Sequence, residues 1–217
     1  MKKKIAIFGA GGHATVITNE INKLKDYVIV GYFVNDVNNS IIIKEYKKNI
    51  FMINKKNILN LVKNSVTGII AIGENILRKK IVRDLRLISR NFKWGKIISK
   101  DSLLGENVEV GDGTVIMSGC IIGPFTKIKE HCLVNTGSII EHENQLDKYS
   151  STGPGVVTAG NVRIGELTHL GIGAVVKERV KIGKNVIIGG NSFVNKNCIN
   201  NSVYFGNPAK LVKKKIN

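Results

Sequence analysis

The chain has 217 residues, room for one large domain or two small ones at roughly 150 residues each, and enough to bury a core without metal or disulfide staples. Its 33 Lys+Arg against 16 Asp+Glu give a formal charge of +17, which suits anionic partners, although the lysines are dispersed rather than striped along one element. Aromatic residues make up only 6%, too few for the stacking platforms of RNA or single-strand binders, so nucleic acid is not the expected partner.

Met1-Lys2-Lys3-Lys4 leads into Ile5 to Ala10 and then turns polar. A secretory signal needs roughly 7–15 apolar residues and a cleavage site, so this run reads as a basic approach to a buried strand, Ile5–Phe8. No stretch approaches the ~20 apolar residues that span a bilayer, and no membrane insertion is expected. Gly9-Ala10-Gly11-Gly12-His13-Ala14 then fits GxGxxG/A between a strand and a helix. The first glycine allows the tight turn, and a helix from Ala14 to about Lys25 offers its N-terminal N–H groups to a diphosphate. A strand over Val28–Phe33 ends at Asn35-Asp36, where an acid can meet a ribose hydroxyl. A helix near 56–64, a strand over 68–72 and a helix over 75–89 complete a small α/β unit with a parallel sheet. The resulting domain, residues 1–96, is Rossmann-like but small for a full dinucleotide fold, and a mononucleotide diphosphate fits it better than a nicotinamide cofactor.

From Ile98 the pattern changes. Every sixth residue to Asn200 is aliphatic in fifteen of eighteen cases, and the phase never slips. The position four later is small or β-branched almost throughout, as at Thr114, Thr126 and Ser138, and glycine recurs directly after the aliphatic residue, as at Gly111, Gly123 and Gly165. A six-residue period fits neither a helix face nor an ordinary strand. It predicts a parallel β-helix of hexapeptide rungs over residues 97–217, including a C-terminal tail, with the aliphatic residue inward and the glycine permitting the turn between faces. Cys120, Cys132 and Cys198 all fall on the small interior position and read as core filler. Their odd number, without CxxC spacing, argues for a reducing cytoplasm.

This repeat resembles the hexapeptide-repeat acyltransferases, which implies a left-handed helix with three rungs per eighteen-residue coil. Val134-Asn135-Thr136-Gly137-Ser138-Ile139-Ile140-Glu141-His142-Glu143 is similar to the catalytic segment of the bacterial sugar acetyltransferases with an N-terminal Rossmann-like domain. The GxGGHA loop, the run Ala71-Ile72-Gly73-Glu74-Asn75 through Arg78, and the ending Phe205-Gly206-Asn207-Pro208-Ala209-Lys210 match as well. Members N-acetylate UDP-, GDP- or dTDP-linked amino sugars for surface glycans such as lipopolysaccharide, and close relatives O-acetylate sialic acid.

The resemblance implies His142 as general base, with Glu143 raising its basicity and fixing its tautomer. It implies that Ser151, Gly160, Ile172 and Gly190 touch acetyl-coenzyme A, and that Gly11, Gly12, His13, Asn35, Asp36 and Gly73 hold the nucleotide sugar, with Asn135 near the sugar. It further implies a homotrimer with the cofactor groove between neighbouring prisms. No interior Cys or activated Ser is placed to form an acyl-enzyme, so transfer is expected to be direct. Many relatives carry a second histidine where this chain has Ser151, and His169, eighteen residues on, either replaces that contact or is an ordinary rung residue. An O-acetyltransferase acting on a sugar hydroxyl is the alternative activity. A metal-dependent hydratase would need about three histidines converging from neighbouring coils; His131 and His142 are eleven residues apart without an obvious third, and no metal is expected.

Overall fold

The computed structural model describes residues 2–36 and 49–214. The chain divides into two compact units, 1–97 and 98–217.

In the first unit, strands β1 (Lys3–Phe8), β2 (Tyr27–Val34), β3 (Ile50–Met52) and β4 (Thr67–Ile70) alternate with helices α1 (Gly12–Leu24), α2 (Lys55–Lys63) and α3 (Asn75–Ile88). The four strands are parallel in the order β3-β2-β1-β4. β1 is central and buries its last four residues, Ile5 to Phe8, as an apolar run covered on both faces must. Helix α1 turns Ala14, Ile17, Ile21 and Leu24 inward, the three- and four-residue spacing of one helical stripe. It stops at Lys25, whose φ of 59° breaks the helical path. An aromatic cluster closes the unit: Phe8 lies 5.5 to 5.7 Å from Phe33, Phe92 and Trp94. Gly68 lies against this cluster, since a methyl there would come within 2.6 Å of Phe92. Strand β3 was not anticipated; it is three residues long and has two exposed positions.

The second unit is a left-handed parallel β-helix. Two-residue strands pair with the strands eighteen residues before and after, as Lys127 does with Glu109 and Gln145. They form three sheets, one per face, of five, six and eight strands, the last including the antiparallel strand Lys210–Lys214. Within each rung the second residue points in: Ile116, Val134, Ile140, Leu146, Leu170 and Ile188 are completely buried. At about 1.5–3 kcal/mol for each such side chain, these stacked aliphatic columns dominate the stability of the unit. The three cysteines are buried in the interior, and burial pushes the Cys198 thiol up to about 12, so it stays protonated at neutral pH.

The structure corrects the expected role of the recurrent glycines. Positive φ does not fall on the glycine after each aliphatic residue. It falls two positions later, at Gly113, Gly119, Phe125, His131, Gly137, Glu143, Tyr149 and onward to Asn191. The glycines after the aliphatic residue answer a different demand, close approach between coils. A methyl at Gly111 would lie 2.5 Å from the Glu130 backbone nitrogen, and one at Gly123 would lie 2.5 Å from that of His142. Among the described residues, no helix is long and apolar enough to cross a membrane.

Candidate functional site

In the α/β unit, the carboxyl ends of β1 and β4 frame a cavity of about 350 Å³. The strand order changes direction here, where open parallel sheets receive ligands. Gly9 makes the turn with φ +118°, and a methyl on it would strike the Ala71 carbonyl oxygen at 2.8 Å. α1 begins at Gly12, two residues earlier than expected, with Gly11 as its N-cap. The cavity gathers Gly11, His13, Asn35 and Gly73 from the expected set. Gly12 and Asp36 are not part of its lining; Gly12 is exposed at the start of α1 and Asp36 is partly buried just beyond Asn35. The apolar wall, which includes Phe33, Ile53, Ile72 and Leu77, was not read from the sequence because its members come from segments far apart in the chain.

His13 is partly buried, and burial, reinforced by the Arg78 guanidinium, pulls its pKa down to about 4. It is therefore neutral at pH 7 and offers a hydrogen bond rather than a charge. Arg78 is 3% exposed. It donates to the Gly73 and Ile72 carbonyls at 2.8 and 3.2 Å and to Asn75 Oδ1 at 2.7 Å, fixing the loop after β4.

On the β-helix, His142 sits at the corner between the strands Ile139–Ile140 and Gln145–Leu146. Its Nδ1 lies 3.0 Å from Glu143 Oε2, and both side chains are about half exposed. Glu143 occupies one of the left-handed corner positions, φ 57°. Gly160 lies one coil on, directly against the imidazole: a methyl there would collide with Nε2 and come within 2.5 Å of Cε1. The next coil also ties down the corner through a bond from the Asn161 N–H to the His142 carbonyl at 2.9 Å.

Asn144 is a residue the sequence reading missed. It is 1% exposed in the interior column where small or β-branched residues are the rule. Its amide donates to the Glu141 and Ala159 carbonyls at 2.6 and 3.0 Å and accepts from the Val162 N–H at 3.0 Å. The break in that column was the signal that could have found it.

The remaining expected residues are spread over the helix. Ile172 is 65% exposed, and Gly190 is stacked one coil beyond it, where a methyl would meet the Ile172 carbonyl at 3.2 Å. Both lie on a different corner from His142. Ser151 is buried, and its hydroxyl lies 2.8 Å from His169 Nδ1 on the adjacent strand. Asn135 caps its own turn, accepting from the Thr136 N–H at 2.9 Å, while its N–H donates to Thr152 Oγ1 at 2.9 Å. Thr152, polar where the repeat calls for an aliphatic residue, thus fastens that corner. His131 is buried, its ring stacked on Tyr149 at 5.3 Å. Among the described residues, no group of three or more His, Cys, Asp or Glu is placed to hold a metal ion.

Residues 4–85 match the PglD N-terminal domain, and residues 161–196 match the bacterial transferase hexapeptide (six repeats). The fold and these matches define a hexapeptide-repeat transferase of the left-handed β-helix family carrying a PglD-type N-terminal domain. No curated protein sequence matches the chain. Among solved structures, the chain is similar to the acetyltransferase domain of PglB from Neisseria gonorrhoeae in complex with acetyl coenzyme A, at 24% identity and TM-score 0.85, covering 98% of this chain and 100% of that one. It is also similar to a mutant GDP-perosamine N-acetyl transferase from Caulobacter crescentus in complex with CoA and GDP-perosamine, at 25% identity and TM-score 0.86, covering 97% of each. WeeI from Acinetobacter baumannii shares the fold at 20% identity and TM-score 0.78, over 97% of this chain and 100% of that one.

Proposed function

We propose that the protein transfers the acetyl group of acetyl-coenzyme A to the amino group of a nucleotide-linked amino-deoxy sugar in the cytoplasm, in the assembly of surface glycans. The observation that carries this reading is the His142–Glu143 pair against Gly160. Glu143 accepts a hydrogen bond from Nδ1–H, which holds the proton on Nδ1 and leaves Nε2 unprotonated and able to act as a base. The amine attacks the thioester carbonyl while Nε2 removes its proton; the C–N bond forms, the C–S bond breaks, and the departing sulfur takes up a proton to leave as coenzyme A thiol. The structural likeness to the PglB domain and to GDP-perosamine N-acetyl transferase supports both substrate classes.

The cavity of the α/β unit is assigned to the nucleotide. Its apolar wall suits a base, and Asn35, His13 and the start of α1 suit polar groups and phosphate. Gly12 and Asp36 are assigned to the rim of that site. On the β-helix, Gly160, whose lack of a side chain lets the imidazole pack directly against it, is assigned to the thioester end of the cofactor, and Ile172 with Gly190 offers an open apolar surface for the pantetheine arm. At the remaining cofactor position the buried Ser151 acts through His169, which is the more exposed member of that pair. The active form is a homotrimer, supported by the apolar outer row of the six-stranded face: Leu103, Ile121 and Val175 are all more than 40% exposed.

The test is coenzyme A thiol release with UDP-, GDP- and dTDP-linked amino sugars. One of them should turn over with acetyl-coenzyme A, and His142→Ala should lower turnover by roughly 10²–10⁴-fold. Near-normal turnover in a folded His142→Ala protein, or preference for a free sugar hydroxyl, overturns the proposal.

A further inference from the structure

We propose that Asn144 is a positioning residue that sets the distance between the His142 corner and the Gly160 corner. The inference rests on His142 being the base. Its ground is a comparison between equivalent hexad positions of the β-helix interior, of which Thr126 lies one coil before Asn144 in the same column. Thr114, Thr126 and Thr168 each make the same two bonds to the next coil. The hydroxyl donates to a carbonyl fifteen residues on, at 2.6 to 2.9 Å, and accepts from an N–H eighteen residues on, at 3.0 to 3.2 Å.

Asn144 reproduces both bonds, to the Ala159 carbonyl and the Val162 N–H, and then adds a third. Its second amide hydrogen turns back to the Glu141 carbonyl at 2.6 Å. The two carbonyls it joins belong to the peptide units that lead directly into His142 and Gly160. One buried, planar amide therefore clamps the backbone entering the base to the backbone entering the residue beneath its ring. A threonine has only one hydrogen to donate and can serve the rung but not the corner. Because Gly160 lies against the imidazole, a small change in the separation of these peptides moves Nε2 relative to anything bound there, and misplacement by about 1 Å can cost up to about 10²-fold in rate.

Asn144→Thr separates the two duties. The measurements are melting temperature, both Michaelis constants and turnover for the wild type, Asn144→Thr, His142→Ala and the double variant. Asn144→Thr should melt close to the wild type and keep both Michaelis constants. Its turnover should fall by about 10–50-fold, with little further loss when the substitution is added to His142→Ala. Wild-type turnover in Asn144→Thr, or a loss of the same size in the His142→Ala background, overturns the clamp while leaving the base assignment standing. Full activity in His142→Ala overturns the base assignment itself, and the clamp with it. Should Asn144→Thr fail to fold, Asn144→Ser carries the same comparison, because Ser138 makes the equivalent rung bond to the Gly153 carbonyl at 3.3 Å. Unfolding of both variants assigns Asn144 to the rung alone and overturns the proposal.

Discussion

At the scale of single residues, the β-helix corner and the α/β cavity place opposite demands on a histidine. His142 stands half exposed beside a carboxylate, whereas His13 is partly buried beside a guanidinium. For His13 the folded pKa of about 4 lies below the ordinary 6.5. Between those values the unfolded chain binds the extra proton, so stability is lost as pH falls from about 6.5 toward 4. His13→Asn should flatten that part of the curve of unfolding free energy against pH, measured by urea titration, and an unchanged slope would contradict the shift. For His142 the critical neighbour is Gly160. Gly160→Ala places a methyl on the imidazole edge, and turnover should drop by about 10²-fold, the scale of a 1 Å displacement. The check is a kinetic comparison in which the Michaelis constant for the sugar nucleotide is unaltered.

At the scale of elements, the hexad gives two kinds of glycine with different sensitivities. Gly111 is squeezed between coils, and Gly111→Ala should cost about 1–3 kcal/mol as an overpacked contact. Gly137 has φ +67° but open space around its Cβ position. Asparagine visits that conformation readily, so Gly137→Asn should be close to neutral; chemical denaturation of the two variants separates them. The same contrast explains how much was legible. The β-helix could be read because its inward residues recur at one fixed interval, and a periodic constraint survives local substitution. The left-handed corner was missed because Phe125, Tyr149, Leu167 and Arg179 fill it as freely as glycine does, so composition does not mark it. β3 was missed because three residues with Phe51 and Met52 exposed carry too little pattern. His142 and Glu143 were named from a motif and stand together at 3.0 Å. Asn144, one residue further on, went unnamed because its work is done on carbonyls fifteen residues ahead and three behind, which only the coil register brings together.

At the scale of the whole molecule, the three faces of the β-helix differ in chemistry. The outer row of the five-stranded face reads Glu109, Lys127, Gln145, Arg163 and Lys181, and Lys127 pairs with Glu109 at 2.8 Å. The outer row of the six-stranded face reads Leu103, Ile121, Ile139, Val157, Val175 and Phe193. Part of the +17 charge thus keeps one face in water, while its neighbour is free of charge along its length. Ile121→Glu should convert the proposed trimer into monomer by light scattering and abolish activity. Lys127→Glu, on the charged face, should leave the assembly intact. A trimer surviving Ile121→Glu would exclude this face as the seam.

The register of the coils also works as a ruler. Parallel strands stack about 4.8 Å apart, and eighteen residues make one step, so distance along the axis can be read from residue numbers alone. From His142 the thirty residues to Ile172 amount to about 8 Å of rise, and the forty-eight to Gly190 to about 13 Å. An extended ligand running along the prism would be graduated against the chain in this way. Inserting eighteen residues between His142 and Ile172 would lengthen the reach by one division and leave every face as it was. Inserting six would add a third of a division and carry everything beyond it onto the wrong face.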